Sequence, residues 1–262
     1  MRAAGRLGKL SAMTEQVLIC GADGVQELRL NRPEKRNAIS FAMYEALARG
    51  LSAARADAQV RAVLLSGEGP GFCAGNDLND FLTGPKLSDA HPVMALLRTL
   101  ATFEKPLLAA VHGQTVGIGV TMLLHCDLVV AARNTQFSLP FVKLGLVPEA
   151  GSSLLLPRLI GAQRAAQLLL LGEPCDAATA LGFGLVSRVV EEGSLLDTAR
   201  ALARGLAQQP REALLATKRL LRGDPAELLA RIGAEARIFG AQLESEEFRA
   251  GVRAFLARGR PA

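Results

Sequence analysis

The sequence predicts an α/β fold, and three observations carry the prediction. From Val17 to about Ala132, short apolar runs of strand length alternate with runs whose apolar residues recur at helical spacing. Glycine-rich loops, GEGPGFCAGNDL and GQTVGIG, stand at the ends of two strand-like runs. From Leu195 onward strand signals vanish, and Leu, Ala, Arg and Glu follow a helical period. The 262 residues suit one large domain, or a main domain with an appendage. Half of them are hydrophobic (50%), which excludes a disordered chain, and no uninterrupted apolar run is long enough for a membrane span.

The elements follow in order. Residues 1–12 carry Arg2, Arg6 and Lys9 without an acid, as a transit peptide would, but are short, poor in Ser and lack the apolar stretch of a secretory signal; they read as a flexible extension or a mis-assigned start. Met13 opens a strand-like segment, and 17–20 with 25–30 form a hairpin about the turn Gly21–Gly24. Ser40 is placed to cap a helix to about Arg55, since Met43, Leu47 and Leu51 share one face. Further strands are expected at 60–67, 107–111 and 127–132, with helices around 92–103 and from Gly117. The core is set at 13–194. The region 195–262 is a helical subdomain or an oligomerisation arm, its many arginines reading as a solvated face.

Composition narrows the function. Cys20, Cys73, Cys126 and Cys175 lie far apart with no C-x-x-C pair, which argues against a zinc knuckle or a disulfide scaffold and for a reduced, cytoplasmic setting. The charge of +5 suits an anionic ligand. With Tyr44, ten Phe and no Trp, no basic block interleaves with stacking rings, so nucleic acid is not an expected partner, nor is a membrane. Gly117-Ile118-Gly119 begins like a dinucleotide fingerprint, but Met122 stands where the third glycine belongs. No phosphate-loop or G-x-S-x-G motif occurs, and His91, His112 and His125 read as structural. No metal or cofactor is expected. The loops at 72–78 and 113–123 are more informative: their glycines let backbone amides approach a ligand, and two such amides on one carbonyl make an oxyanion hole. Taken alone, such a loop is more often an ordinary turn.

The segments LNRPEKRNAIS (30–40), GFCAGNDLNDF (71–81), AAVHGQTVGIGVTMLLHCDLVVAARNTQFSLPFVKLGLVPEAGSS (109–153) and GEPCDAATALGFGLVSRVV (172–190) resemble the enoyl-CoA hydratase/isomerase (crotonase) superfamily. The resemblance runs from about Val17 to the C-terminus. It implies a spiral of β-β-α units, a C-terminal helical region that builds trimers or dimers of trimers, and an acyl-CoA thioester as substrate. It places the oxyanion hole at the backbone N–H groups of Asn76, after Gly75, and Ile118, after Gly117. It places coenzyme A at Lys35, Arg36, Asn37 and Ala38 and along Ala74, Gly75, Asp77 and Leu78. Lys35 and Arg36 would face phosphates, and Asp77 would fix the loop.

Hydratases of this superfamily carry two glutamates that activate water. Here those positions are Thr121 and Phe141. An acid appears instead at Glu149, where the single-base Δ3,Δ2-enoyl-CoA isomerases place theirs, and FCAGNDL is similar to that subgroup's loop. The implied reaction is a 1,3-proton shift: Glu149 takes a proton from C2 of a 3-enoyl-CoA and returns it to C4. Hydration, another crotonase reaction, or acyl-CoA binding without catalysis are the alternatives. Apolar neighbours Val147, Ala150 and Leu154 predict a raised pKa for Glu149. The acyl chain is expected against Phe81, Leu82, Met94, Leu97, Met122 and Phe141, each of which core packing explains equally well.

Overall fold

The computed structural model describes residues 11–14 and 16–258. The first hairpin pairs β2 (Val17–Ala22) with β3 (Val25–Leu30), and β1 (Ser11–Thr14) adds to its outer edge. The strand begins at Ser11, two residues inside the expected N-terminal extension, and residues 1–10 lie outside those described. Asp23 and Gly24 both have positive φ (53° and 77°), the two-residue turn whose twist matches the strands it joins. Ser40 caps α1 (Phe41–Ala56) by accepting from the Met43 N–H.

Next come β4 (Ala62–Gly67), α2 (Leu78–Thr83), α3 (Pro92–Ala101), β5 (Leu107–Val111), β6 (Gln114–Val116) and α4 (Ile118–Thr121). A 3-10 turn, Met122–His125, continues α4 before β7 (Leu128–Ala132) and β8 (Gln136–Ser138). Then follow α5 (Ser152–Ile160), α6 (Ala162–Ala166), β9 (Cys175–Asp176), α7 (Ala177–Phe183) and β10 (Arg188–Val190). Four helices close the chain: α8 (Leu195–Ala207), α9 (Arg211–Arg222), α10 (Ala226–Leu243) and α11 (Glu246–Arg258).

A seven-stranded sheet has the order β1-β2-β3-β4-β5-β7-β10, parallel from β3 onward, and a second sheet has the order β6-β8-β9. Successive units give one strand to the large sheet and the next to the small one. β5 is followed by β6 and β7 by β8; after β4, Cys73 bridges Thr115 of β6. This is the spiral of β-β-α units. β4, β5 and β7 are buried on both faces, which is why they read as unbroken apolar runs. One face, with Val63, Leu65, Leu107, Ala109 and Val129, meets the main core around α1 and α3. The other, with Ala62, Leu64, Leu108, Ala110 and Val130, meets the Leu195, Ala199, Ala203, Ala207 stripe of α8. Small residues at four-residue spacing let α8 lie close on the sheet.

The C-terminal region is therefore helical as expected, and it is built into its own chain. The solvated-face reading fails for three of its cations. Arg200 pairs with buried Glu27 at 3.0 Å, and Lys218 and Arg222 bind Asp127 at 2.7 and 3.0 Å; an acid at each site draws them in. Among the described residues no helix is long and apolar enough to cross a membrane, and no cluster of His, Cys, Asp and Glu is arranged to hold a metal.

Candidate active site

Two glycine loops and one acidic loop meet under α10. The first loop follows β4 and is tied on both sides: Ala74 N–H donates to Arg36 O at 2.9 Å, and Ile39 N–H to Gly75 O at 2.8 Å. Because the Gly75–Asn76 peptide is trans, using its carbonyl on the Ile39 side turns the Asn76 N–H the opposite way. The second loop is laced to the first by Val116 N–H to Cys73 O, 2.8 Å. Gly117 sits at φ 53°, ψ −118°, a conformation open to glycine, and its carbonyl accepts from Val120 and Thr121 at the start of α4. The Ile118 N–H consequently points out of the helix end. Among the described residues neither the Asn76 nor the Ile118 N–H finds an acceptor. The loops are neighbours: a Cβ on Gly117 would stand 3.9 Å from Gly75 Cα.

Glu149 occupies the third loop and is 5% exposed. It precedes two residues in left-handed conformation, Ala150 (φ 62°) and Gly151 (φ 73°), of which Ala150 carries a steric cost on the order of 1–2 kcal/mol. Thr121 on α4 donates its hydroxyl to Glu149 Oε1 at 2.6 Å. Burial pushes the Glu149 carboxyl up to about 8; the Thr121 hydrogen bond pulls down and the charge of Glu235 pushes up. Glu149 and Asn76 both line a narrow cavity of about 10 Å³, otherwise apolar, with Phe81, Met94, Leu97 and, from α10, Ile232 and Phe239 among its walls. Phe81 and Leu87 separate it from an open groove of about 660 Å³.

Of the expected acyl wall, Phe81, Met94 and Leu97 line this cavity and three residues do not. Leu82 lies across α2 from it and is 44% exposed, facing the open groove. Met122 and Phe141 are buried in the main core instead, the alternative that packing offered. Lys35 and Arg36 are exposed on the turn before α1 and pair with no acid among the described residues. Ala38 and Ala74 flank that turn, half-buried. Asp77 is occupied structurally: it accepts from Arg32 at 2.7 Å and caps α2 through the Asn79 N–H, with Leu78 as the first helical residue. His125 Nε2–H donates to Ala150 O at 2.8 Å, and burial brings the imidazole down to about 4, so it stands neutral beside the acidic loop.

Sequence reasoning missed three groups. Tyr44, fully buried on α1, donates to Asn76 Oδ1 at 2.6 Å. Thr121 is more than a vacated acid position, since its hydroxyl holds Glu149. Glu235 is buried on α10 and bonds the loop after Glu149. The last had a legible signal: Ile232, Glu235, Ala236 and Phe239 share one helix face, an acid set in an apolar stripe.

The sequence model of the enoyl-CoA hydratase/isomerase family matches residues 21–262. The chain is 39% identical over 95% of its length to 98% of the 1,2-epoxyphenylacetyl-CoA isomerase of Escherichia coli. It is 35% identical to the 2,3-dehydroadipyl-CoA hydratase of the same organism, covering 94% of this chain and 97% of that one. An enoyl-CoA hydratase/isomerase from Pseudoalteromonas atlantica superposes with a TM-score of 0.90 at 40% identity, covering 94% of this chain and 99% of that one. This chain belongs to the enoyl-CoA hydratase/isomerase family. It is an enzyme of the hydratase/isomerase type, whose substrates are acyl-CoA thioesters.

Proposed function

We propose that the protein is an isomerase that moves the double bond of a 3-enoyl-CoA to the 2-position, with Glu149 as its one base. The observation that carries this reading is that Glu149 is the single carboxylate among the residues lining the cavity. Its hydroxyl partner, Thr121, stands where a hydratase would hold the first of its two acids, and Phe141 stands at the second. Water addition needs one group to activate water and another to protonate C2; a proton moved from C2 to C4 needs one group that takes and returns it.

In this reading the thioester oxygen sits between the N–H groups of Asn76 and Ile118, which acidify C2 and stabilise the dienolate formed on its deprotonation. Ionised Glu149 takes the C2 proton. The protonated carboxyl, favoured by its burial, then delivers the same proton to C4 and is ionised again. The Thr121 hydroxyl fixes one carboxylate oxygen, leaving the other for the substrate. Lys35 and Arg36 meet the phosphates of coenzyme A, and an entering acyl chain displaces Phe81, Leu87 and Phe239 at the rim of the cavity. An enoyl-CoA delta isomerase of Rattus norvegicus, 33% identical over 92% of this chain and 63% of its own, supports the reaction type without specifying the acyl group.

Hydration, which the relatives support equally, is separated by two substrates. With trans-3-hexenoyl-CoA the absorbance of a conjugated enoyl thioester should rise; with crotonyl-CoA it should hold steady. Loss of absorbance with crotonyl-CoA would overturn the reading in favour of a hydratase, and silence with both would leave acyl-CoA binding or another crotonase reaction.

A further inference from the structure

We infer that Glu235, on α10, is a positioning residue that holds Glu149 in register for proton transfer by gripping the turn that follows it. The inference rests on the reading of Glu149 as the base. Glu235 Oε2 accepts from the Gly151 N–H at 2.6 Å, and Oε1 accepts from the Ser153 N–H at 2.9 Å and the Ser153 hydroxyl at 2.5 Å. Arg231, one turn earlier on α10, reaches the same hydroxyl at 3.2 Å. Glu235 is 5% exposed, so these bonds form out of water, where leaving them unmade is costly.

The turn needs such a grip. Ala150 and Gly151 are both left-handed, and a non-glycine residue persists there when its surroundings hold it. Gly151, the N-cap of α5, has no side chain to bond the first amides of that helix; Glu235 supplies that bond from another helix. On the other side, Ala150 O is held by His125 and Glu149 Oε1 by Thr121. Releasing Glu235 frees one end of this clamp, and a displacement near 1 Å at a reacting group costs about 100-fold in rate.

The charge of Glu235 adds a second signature. The groups facing Glu149 are Tyr44 from α1, Cys73 from the loop after β4, Thr121 from α4, His125 from the 3-10 turn and Glu235 from α10, with exposed Arg231 beyond Ser153. Burial keeps Tyr44 and Cys73 protonated and His125 neutral; Glu235, whose carboxyl burial pushes up while the bonds from Ser153 and Gly151 pull it down, is the other carboxyl among them.

The test compares wild type, Glu235→Gln, Glu235→Asp, Ser153→Ala and Glu149→Gln on trans-3-hexenoyl-CoA, with rates normalised to folded protein. Glu235→Gln should lower kcat about 10- to 100-fold with KM within about twofold, and shift the rising limb of kcat/KM to lower pH. Glu235→Asp, which keeps the charge but withdraws it by a methylene, should lower kcat and leave the limb in place. If Glu235→Gln does not fold, the aspartate variant and Ser153→Ala, which removes one of the three bonds and should cost severalfold in kcat, decide the matter. Wild-type kcat and an unmoved limb in the folded variants would overturn the inference and leave Glu235 a stability residue. An active Glu149→Gln protein would instead overturn the reading of the base.

Discussion

Replacing Glu149 with Gln should lower the rate of 3-enoyl-CoA isomerisation roughly 10²–10⁴-fold, the span of a general base, with acyl-CoA binding retained. Gln keeps the shape and an oxygen for the Thr121 hydroxyl, so the cavity wall is preserved while the proton acceptor is lost. Retention of more than about a tenth of the wild-type rate would remove Glu149 from this role. The same variant carries a stability signature. The folded protein holds the Glu149 proton up to about pH 8, whereas the unfolded chain releases it near its ordinary value of 4.5. The native state thus binds more protons across that window, and wild-type stability falls as pH rises through it. Glu149→Gln has no such proton to lose. It should melt above wild type at alkaline pH, with the gain shrinking on acidification; a gain that grew toward acid pH would contradict the burial of the carboxylate.

The second large effect is expected at Gly117→Ala. A Cβ there meets nothing closer than 3.9 Å, so it fits. The backbone is the obstacle: φ 53° with ψ −118° is closed to an L side chain at a cost on the order of 1–3 kcal/mol, and the chain relieves it by turning the peptide. That peptide carries the Ile118 N–H. Loss of one oxyanion donor lowers kcat roughly 10²–10³-fold, and the variant should show a fall of that size in steady-state turnover with little change in KM. Turnover within about threefold of wild type would mean that the Ile118 N–H takes no part in stabilising the transition state.

Much of the fold was legible because its signals are local. The 17–30 hairpin, the Ser40 cap and the strands at 62–67, 107–111 and 128–132 follow from turn chemistry, a cap hydroxyl and apolar runs buried on both faces. The second sheet was not legible, since β6, β8 and β9 have three, three and two residues, too few to display a period. The glycine loops stood out in sequence because turns at strand ends are local features too, whereas Glu149 was singled out by the resemblance to the family and not by any local signal of its own. What completes the site is long-range. Glu235 meets Ser153 from 82 positions away, and Tyr44 meets Asn76 from 32. Arginine patterning misled for a related reason: Arg200 looks like a surface cation until its helix is laid over Glu27, 173 positions earlier.

The most direct test of the central claim is the pH dependence of kcat/KM for trans-3-hexenoyl-CoA in the wild-type protein. A single buried carboxylate acting as base predicts a rate that climbs about tenfold per pH unit on the acid side and levels off above about pH 8. A profile that stays level from about pH 6 to about pH 9 would contradict it, because no group with the ionisation of Glu149 would then be limiting the reaction.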